Sequence, residues 1–111
     1  MYFTDDELRC PCCGIVKMDS SFLDLLIKMR KKWGKPMYVT SAFRCKKHNA
    51  KLGSKPTSQH VLGKAVDIRV SDADRFDFIK LAFKSGFTGI GVDSRFIHLD
   101  SREKAAYFWI Y

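Results

Sequence analysis

The chain has 111 residues, enough for one domain with a single hydrophobic core. Hydrophobic residues make up 46% and charged residues 29%, which excludes a disordered chain, and no apolar run approaches the roughly 20 residues of a membrane helix. The net charge of +8 favours an anionic partner (nucleic acid, an anionic membrane or a cell wall), with a solubilising surface as the alternative.

The N-terminal third predicts a helical turn, a loop and a long helix. Thr4 and Glu7 have the spacing of a capping box, which predicts a helical turn after Thr4. Residues 10–14 contain Pro and Gly and predict a tight loop. A helix is predicted over 20–33 and ends at Gly34, because five apolar residues recur at helical spacing: Phe22, Leu25, Leu26, Met29 and Trp33.

The middle of the chain predicts two strands and a short helix. Residues 37–40 read as a strand, and residues 45–52 read as a short basic helix that ends at Gly53. Residues 54–59 follow as a loop. Apolar and polar residues alternate along residues 65–70, which predicts a second strand.

The C-terminal third predicts a helix and a hairpin. Ser71 and Asp74 have capping-box spacing, and the helix runs to Ser85 with an apolar stripe of Phe76, Ile79, Ala82 and Phe83. Residues 88–92 and 96–100 predict two strands of a hairpin, and the apolar tail 107–111 is expected to dock on the sheet or core. The predicted fold is α+β over a single domain, 1–111: a small, mainly antiparallel sheet with two main helices.

Two histidines and an aspartate are the strongest candidates for chemistry. His60 lies in a loop, whereas Asp67 and His98 lie in apolar strands, where a carboxylate needs a partner or a metal. Two imidazoles and one carboxylate can surround a tetrahedral zinc and leave the fourth position for water. The spacing alone also fits a loop histidine, a core histidine and an ion-paired aspartate.

A longer string of motifs resembles the M15 family of zinc peptidases. The segments are Thr40-Ser41-Ala42-Phe43-Arg44, His48-Asn49-Ala50, Ser58-Gln59-His60-x-x-Gly63-x-Ala65-x-Asp67-Ile68, Gly89-Ile90-Gly91 and Phe96-Ile97-His98-Leu99-Asp100. The nearest likeness is to small D-alanyl-D-alanine carboxypeptidase-like and murein-endopeptidase-like domains of bacteria and tailed phages. The resemblance implies an M15 or hedgehog-like peptidase fold with its zinc site on the sheet.

The resemblance also implies roles for individual residues. His60, Asp67 and His98 match the three zinc ligands. Arg44 matches an arginine beside the metal that binds a substrate carboxylate or polarises the scissile carbonyl, in keeping with its planar fork of donors. The residues before the first ligand, Ser58 and Gln59, would bind substrate near the metal or shape the loop.

The general base is not fixed by these motifs. Several members of the wider family carry Asp or Glu three residues before the last zinc histidine, where this chain has Arg95. Asp100 lies two residues after His98, on the same face of a strand, and is the favoured carboxylate. It would either activate the zinc-bound water or orient a ligand, and Asp93 is the other candidate for the base.

The cysteines leave three alternatives open. Cys10, Cys13, Cys45 and His48 could form a structural zinc site if the N-terminal loop packs beside the short basic helix. A disulfide from Cys45 to Cys10 or Cys13, or free thiols, would explain the same residues.

Two functions therefore follow from the sequence. The first is a zinc peptidase that hydrolyses bonds involving D-amino acids in peptidoglycan stem peptides. The second is a catalytically weak metal-binding module that holds cell wall or another anionic polymer. Nucleic acid is disfavoured as a partner, and a monomer without a membrane span is expected. The start of the sequence reads as lacking a signal peptide, so delivery to the wall by release, as in phages, is expected.

Overall fold

The computed structural model describes residues 2–111, which form a five-stranded sheet and several helices. The helices and strands in chain order are α1 (Asp5–Leu8), α2 (Ser20–Trp33), β1 (Tyr38–Ser41), α3 (Lys46–Lys51), β2 (Ala65–Arg69), a 3-10 turn (Asp72–Asp74), α4 (Arg75–Ser85), β3 (Gly89–Val92), β4 (Ile97–Asp100) and β5 (Tyr107–Ile110). Within this part of the chain, no helix has the length and apolar character needed to cross a membrane.

The helix ends follow the local sequence signals closely. Thr4 forms both hydrogen bonds of the predicted capping box with Glu7. Helix α2 has the predicted bounds and ends at Gly34, whose φ of 71° suits glycine. Its N-cap is Asp19, whose carboxylate accepts a hydrogen bond from the Phe22 amide at 2.9 Å.

The start of α4 differs from the prediction. The Ser71 hydroxyl donates to the Asp74 carboxylate at 3.1 Å and makes no capping bond to a backbone amide. A 3-10 turn therefore precedes α4, which begins at Arg75. The predicted capping box at Ser71 is wrong because its two side chains bond to each other.

The sheet has the strand order β1-β2-β4-β3-β5 and confirms the predicted α+β class. All pairs are antiparallel except β3 with β5. The tail thus docks as predicted, as a parallel edge strand beside β3. The β2–β4 register places Asp67 opposite His98.

Alternation along β2 and β4 separates the core from a polar face of the sheet. Val66, Ile68, Ile97 and Leu99 belong to the hydrophobic core, together with residues of α2 and α4. The residues between them in sequence, including Asp67, point to the opposite face because successive strand residues alternate.

The core also corrects the apolar stripe predicted for α4. Phe78 and Ala82 are the buried positions, whereas Phe76 and Phe83 are 73% and 54% exposed. Both sets fit helical spacing, and packing against the sheet and Trp33 selects Phe78. The Phe83 ring instead stacks on Phe108 of β5 at 6.0 Å.

This correction predicts effects of very different size for two phenylalanines on the same helix. Replacing Phe78 with alanine should lower the free energy of unfolding by about 3–5 kcal/mol, because it removes a fully buried ring and leaves a cavity. Replacing the exposed Phe76 should change it by less than about 0.5 kcal/mol. Urea denaturation measures both, and equal losses would contradict the observed orientation of α4.

Candidate metal centre

Three polar side chains meet on the sheet face opposite the core. His60 comes from the loop before β2, Asp67 from β2 and His98 from β4, and each is at most 5% exposed. The Asp67 Oδ1 atom lies 3.2 Å from His60 Nε2 and 2.9 Å from His98 Nδ1. One ligand atom from each residue lies within 4.8 Å of the other two.

This donor set fits a zinc ion. Zinc–ligand bonds of about 2.0–2.1 Å at tetrahedral angles would place ligand atoms about 3.3 Å apart. The separations around Asp67 are close to that value, so one ion could be bound with small side-chain movements. Two imidazoles and a carboxylate leave a fourth position for water, as in catalytic rather than structural zinc sites.

Hydrogen bonds on the far side of each imidazole orient the two rings. The Nδ1 atom of His60 lies 2.7 Å from the Ala42 carbonyl oxygen, which accepts its hydrogen and leaves Nε2 for a metal. The Nε2 atom of His98 lies 2.7 Å from Asp100 Oδ2, which leaves Nδ1 for the same ion. Such partners fix the tautomer and raise the basicity of a ligand.

The Asp100 carboxylate is fully buried and saturated with hydrogen bonds. Besides the bond with His98, it accepts from the Arg102 backbone amide at 3.1 Å, from Nε at 2.9 Å and from Nη2 at 2.6 Å. Burial raises the pKa of Asp100, but the hydrogen bonds with His98 and Arg102 outweigh it and hold the pKa well below its usual range. Asp100 is therefore a poor proton acceptor.

Two glycines of β3 make room for groups around His98. A Cβ at Gly89 would collide with the Asp100 carboxylate, and a Cβ at Gly91 would come within 2.5 Å of the Trp109 indole. That indole packs against the His98 ring with centroids 5.1 Å apart. The Gly-Ile-Gly motif thus gives the close approach that both groups need.

Arg44 lies at the floor of the same face and is only 9% exposed. Its Nη2 is 3.3 Å from Asp67 Oδ2, and its Nε donates to the Ser41 hydroxyl at 3.0 Å. Its Nη1 donates to Asn49 Oδ1 at 3.4 Å and to the Ser54 hydroxyl at 3.2 Å. Burial lowers the pKa of Arg44 from its ordinary value, and the Asp67 charge opposes this effect.

The charges of the three candidate ligands are coupled. Burial raises the pKa of Asp67, but its hydrogen bonds with His60 and His98 hold that pKa below its usual range. Burial lowers the pKa of His60 despite Asp67. Hydrogen bonds with Asp100 and Asp67 outweigh burial and raise the pKa of His98. Asp67 is thus anionic, as a metal ligand must be.

The candidate ligands open into a cavity of about 820 Å³. Four cationic side chains line it: Arg44, Lys55, Arg95 and Arg102. Ser58 and Gln59 also line it, and the Ser58 hydroxyl accepts a hydrogen bond from the His60 amide at 3.3 Å, which shapes the loop. Three aspartates line the same cavity and pair with its arginines: Asp67 with Arg44, Asp93 with Arg95 and Asp100 with Arg102. The four cations therefore exceed these carboxylates by one charge, which a bound divalent metal would increase.

Several residues that build the site were not assigned a function from the sequence. Asn49 is 2% exposed and binds both Arg44 and, through Nδ2, the Lys55 carbonyl at 2.9 Å. Arg102 and Trp109 flank Asp100 and His98. Arg102 lies just beyond the end of β4, two residues after the Asp100 that it binds. The position of Trp109 depends on β5 joining the sheet.

Three of the four cysteine-site residues proposed from sequence also come together. The sulfur atoms of Cys10, Cys13 and Cys45 lie within 4.8 Å of one another, whereas His48 contributes no ring nitrogen to this cluster. All four cysteines are free thiols. Burial raises the pKa of Cys10, but backbone hydrogen bonds lower it overall to about 7.

Comparison with known proteins identifies one family. A family model described as Peptidase M15 matches residues 1–100, a range that contains all three candidate metal ligands and the four residues of the cysteine site. The comparison with curated proteins gave no match.

Proposed function

The chain belongs to the M15 family of peptidases and is a metallopeptidase; we propose that it is a zinc enzyme that hydrolyses peptidoglycan stem peptides at bonds involving D-amino acids. The observation that carries this proposal is the convergence of His60, Asp67 and His98 in a cavity lined by cationic side chains. Stem peptides carry free carboxylates, which the excess positive charge of this lining with its bound zinc would attract.

Zinc at this centre would supply a Lewis acid and a water of lowered pKa. The residues of the chain supply binding and proton transfer around it. Arg44 is held by Ser41, Asn49 and Ser54, so its guanidinium is rigid before substrate arrives. We assign it to the substrate carboxylate or to the oxyanion that develops at the scissile carbonyl.

Two other carboxylates line the cavity, and we assign them different roles. Asp100 is a positioning residue, because one of its four hydrogen bonds orients His98 and the three from Arg102 occupy its remaining acceptor sites. Asp93 is the remaining carboxylate of the lining and is half-buried. We assign it as the general base that takes a proton from the attacking water and gives it to the leaving amine.

The role of Arg44 makes a specific prediction. Arg44→Lys keeps the positive charge but loses the planar fork that bonds Ser41, Asn49 and Ser54. We expect kcat/KM to fall about 10²–10³-fold while the zinc content per chain stays unchanged. Steady-state kinetics and metal analysis measure both quantities. Arg69→Lys, at an exposed end of β2, is the matched control, and an equal effect there would contradict the assignment.

The substrate class is tested with purified sacculi. Zinc-loaded protein should release peptide fragments and new free amines, and mass spectrometry of the fragments should identify the bond that is cut. A chelator should stop the release, and added zinc should restore it. No release from several wall chemistries, by protein that holds zinc, would overturn the proposed substrate.

One observation favours the second candidate function, a catalytically weak module that binds cell wall or another anionic polymer. The Arg95 Nε donates to Asp93 at 2.9 Å, and this hydrogen bond lowers the pKa of Asp93. A carboxylate that is paired with an arginine in this way accepts a proton less readily than an unpaired one. Metal-free protein that still binds sacculi, together with zinc-loaded protein that releases nothing, would support the module.

A further inference from the structure

A second cluster of metal-binding side chains lies at the junction of the N-terminal loop and α3. The sulfur atoms of Cys10, Cys13 and Cys45 converge within 4.8 Å, although Cys45 is far from the other two in sequence. We propose that these three cysteines, with Cys12 as the fourth ligand, bind a structural zinc ion separate from the candidate catalytic centre.

The loop that carries Cys10 and Cys13 has the shape that two thiolate ligands need. The Cys10 amide donates to the Ile15 carbonyl at 2.9 Å, and the Gly14 amide donates to the Cys10 carbonyl at 2.8 Å. Gly14 has a φ of 74°, which closes the turn. A Cys-x-x-Cys pair on a closed turn presents both sulfurs to one ion, as in structural zinc sites.

Backbone amides already point at the sulfur atoms. The Cys45 amide donates to Cys10 Sγ at 3.4 Å, and the His48 amide donates to Cys45 Sγ at 3.4 Å. Cys45 is thereby both the N-cap of α3 and a member of the cluster. Such N–H bonds orient a thiolate and stabilise its charge, so the cluster is prearranged for a soft divalent ion.

The fourth ligand is assigned by position in the chain. Cys12 lies on the same turn as Cys10 and Cys13 and is the remaining thiol of that turn. Neither Cys12 nor His48 has a ligand atom within 4.8 Å of all three other sulfurs. Cys12 is exposed on the turn, so burial does not hold its side chain in place, and the proposed site requires its thiol to rotate toward the other three sulfurs.

The surrounding charge fits a thiolate site. Zinc with four thiolates carries a net charge of about −2, which nearby cations would offset. Lys47 lies two residues after Cys45 on α3, and Arg9 donates to the Gly14 carbonyl of the turn at 2.6 Å. A disulfide would use only two of the converging sulfurs, and the described chain contains none.

The site would connect the N-terminal loop to the segment that bears Arg44. Arg44 precedes Cys45, and its amide donates to the His60 carbonyl at 3.2 Å. An ion at the cysteines would therefore fix the backbone between the two centres. In a chain of 111 residues with one core, such a crosslink is also a substantial source of stability.

The test isolates the second site by removing the first. A His60→Ala/His98→Ala variant should still bind one zinc per chain by native mass spectrometry. With cobalt in place of zinc it should show a thiolate charge-transfer absorption, which a site of nitrogen and oxygen ligands does not give. Metal binding should also raise the Tm of this variant, a readout that needs no peptidase activity.

Single substitutions in that variant then identify the ligands. Cys13→Ser and Cys45→Ser should each abolish or strongly reduce the charge-transfer band. Cys12→Ser should weaken cobalt binding at least tenfold, whereas His48→Ala should leave it unchanged; the opposite result would overturn the assignment of Cys12. Three results would overturn the site itself. They are the absence of bound metal, a cobalt spectrum without thiolate character, and a disulfide, seen as a protein mass lower by two hydrogens that a reductant restores.

Discussion

Replacing His98 with alanine is expected to reduce peptide hydrolysis to the background rate and to remove the zinc from the catalytic centre. His98 contributes one of three converging ligand atoms, and its Nδ1 lies 2.9 Å from Asp67 Oδ1. With two ligands left, the ion is lost, and with it the activated water on which hydrolysis depends. Metal analysis and fragment release from sacculi measure the two losses on the same sample.

The chain offers a matched control among its three histidines. His48 lies on α3 and contributes no ring nitrogen to the His60–Asp67–His98 cluster. His48→Ala should therefore keep both the catalytic zinc and the hydrolysis rate. Equal losses in the two variants would mean that imidazole removal acts through folding. Full activity of His98→Ala would place the metal elsewhere.

The candidate centre could be predicted in large part because its ligands break local patterns. Asp67 and His98 are polar residues inside apolar strands, and alternation alone puts them on the face away from the core. That the β2–β4 register sets them opposite each other is a tertiary fact. The grouping of these residues in one metal site came from the resemblance to M15 peptidases. Their spacing in the sequence also allowed a core histidine and an ion-paired aspartate.

What the sequence left undetermined depends on contacts between distant segments. Helical spacing allowed either Phe76 or Phe78 to face the core, and only the packed sheet decides between them. Trp109 reaches His98 because β5 pairs parallel with β3, and no local signal encodes that partner. The assignment of Asp100 likewise depends on its hydrogen bonds with His98 and Arg102, which the sequence does not show.

The two remaining carboxylates of the cavity give the second large prediction. Asp93→Asn should lower kcat about 10²–10⁴-fold and leave zinc affinity unchanged, because it removes a proton acceptor and no metal contact. Asp100→Asn should instead weaken zinc binding about 10–100-fold, because it removes a charged acceptor from His98 Nε2. Titration with zinc and kinetics at saturating zinc separate the two effects.

This pair of variants distinguishes the two functions as well as the two carboxylates. If Asp100→Asn loses kcat at saturating zinc and Asp93→Asn does not, Asp100 is the base despite its four hydrogen bonds. If the natural chain is itself slow and Arg95→Ala speeds it, the Arg95–Asp93 pair is the restraint on the base. That outcome would explain a weak enzyme in physical terms, since an arginine bonded to the base holds it in its deprotonated, weakly basic form.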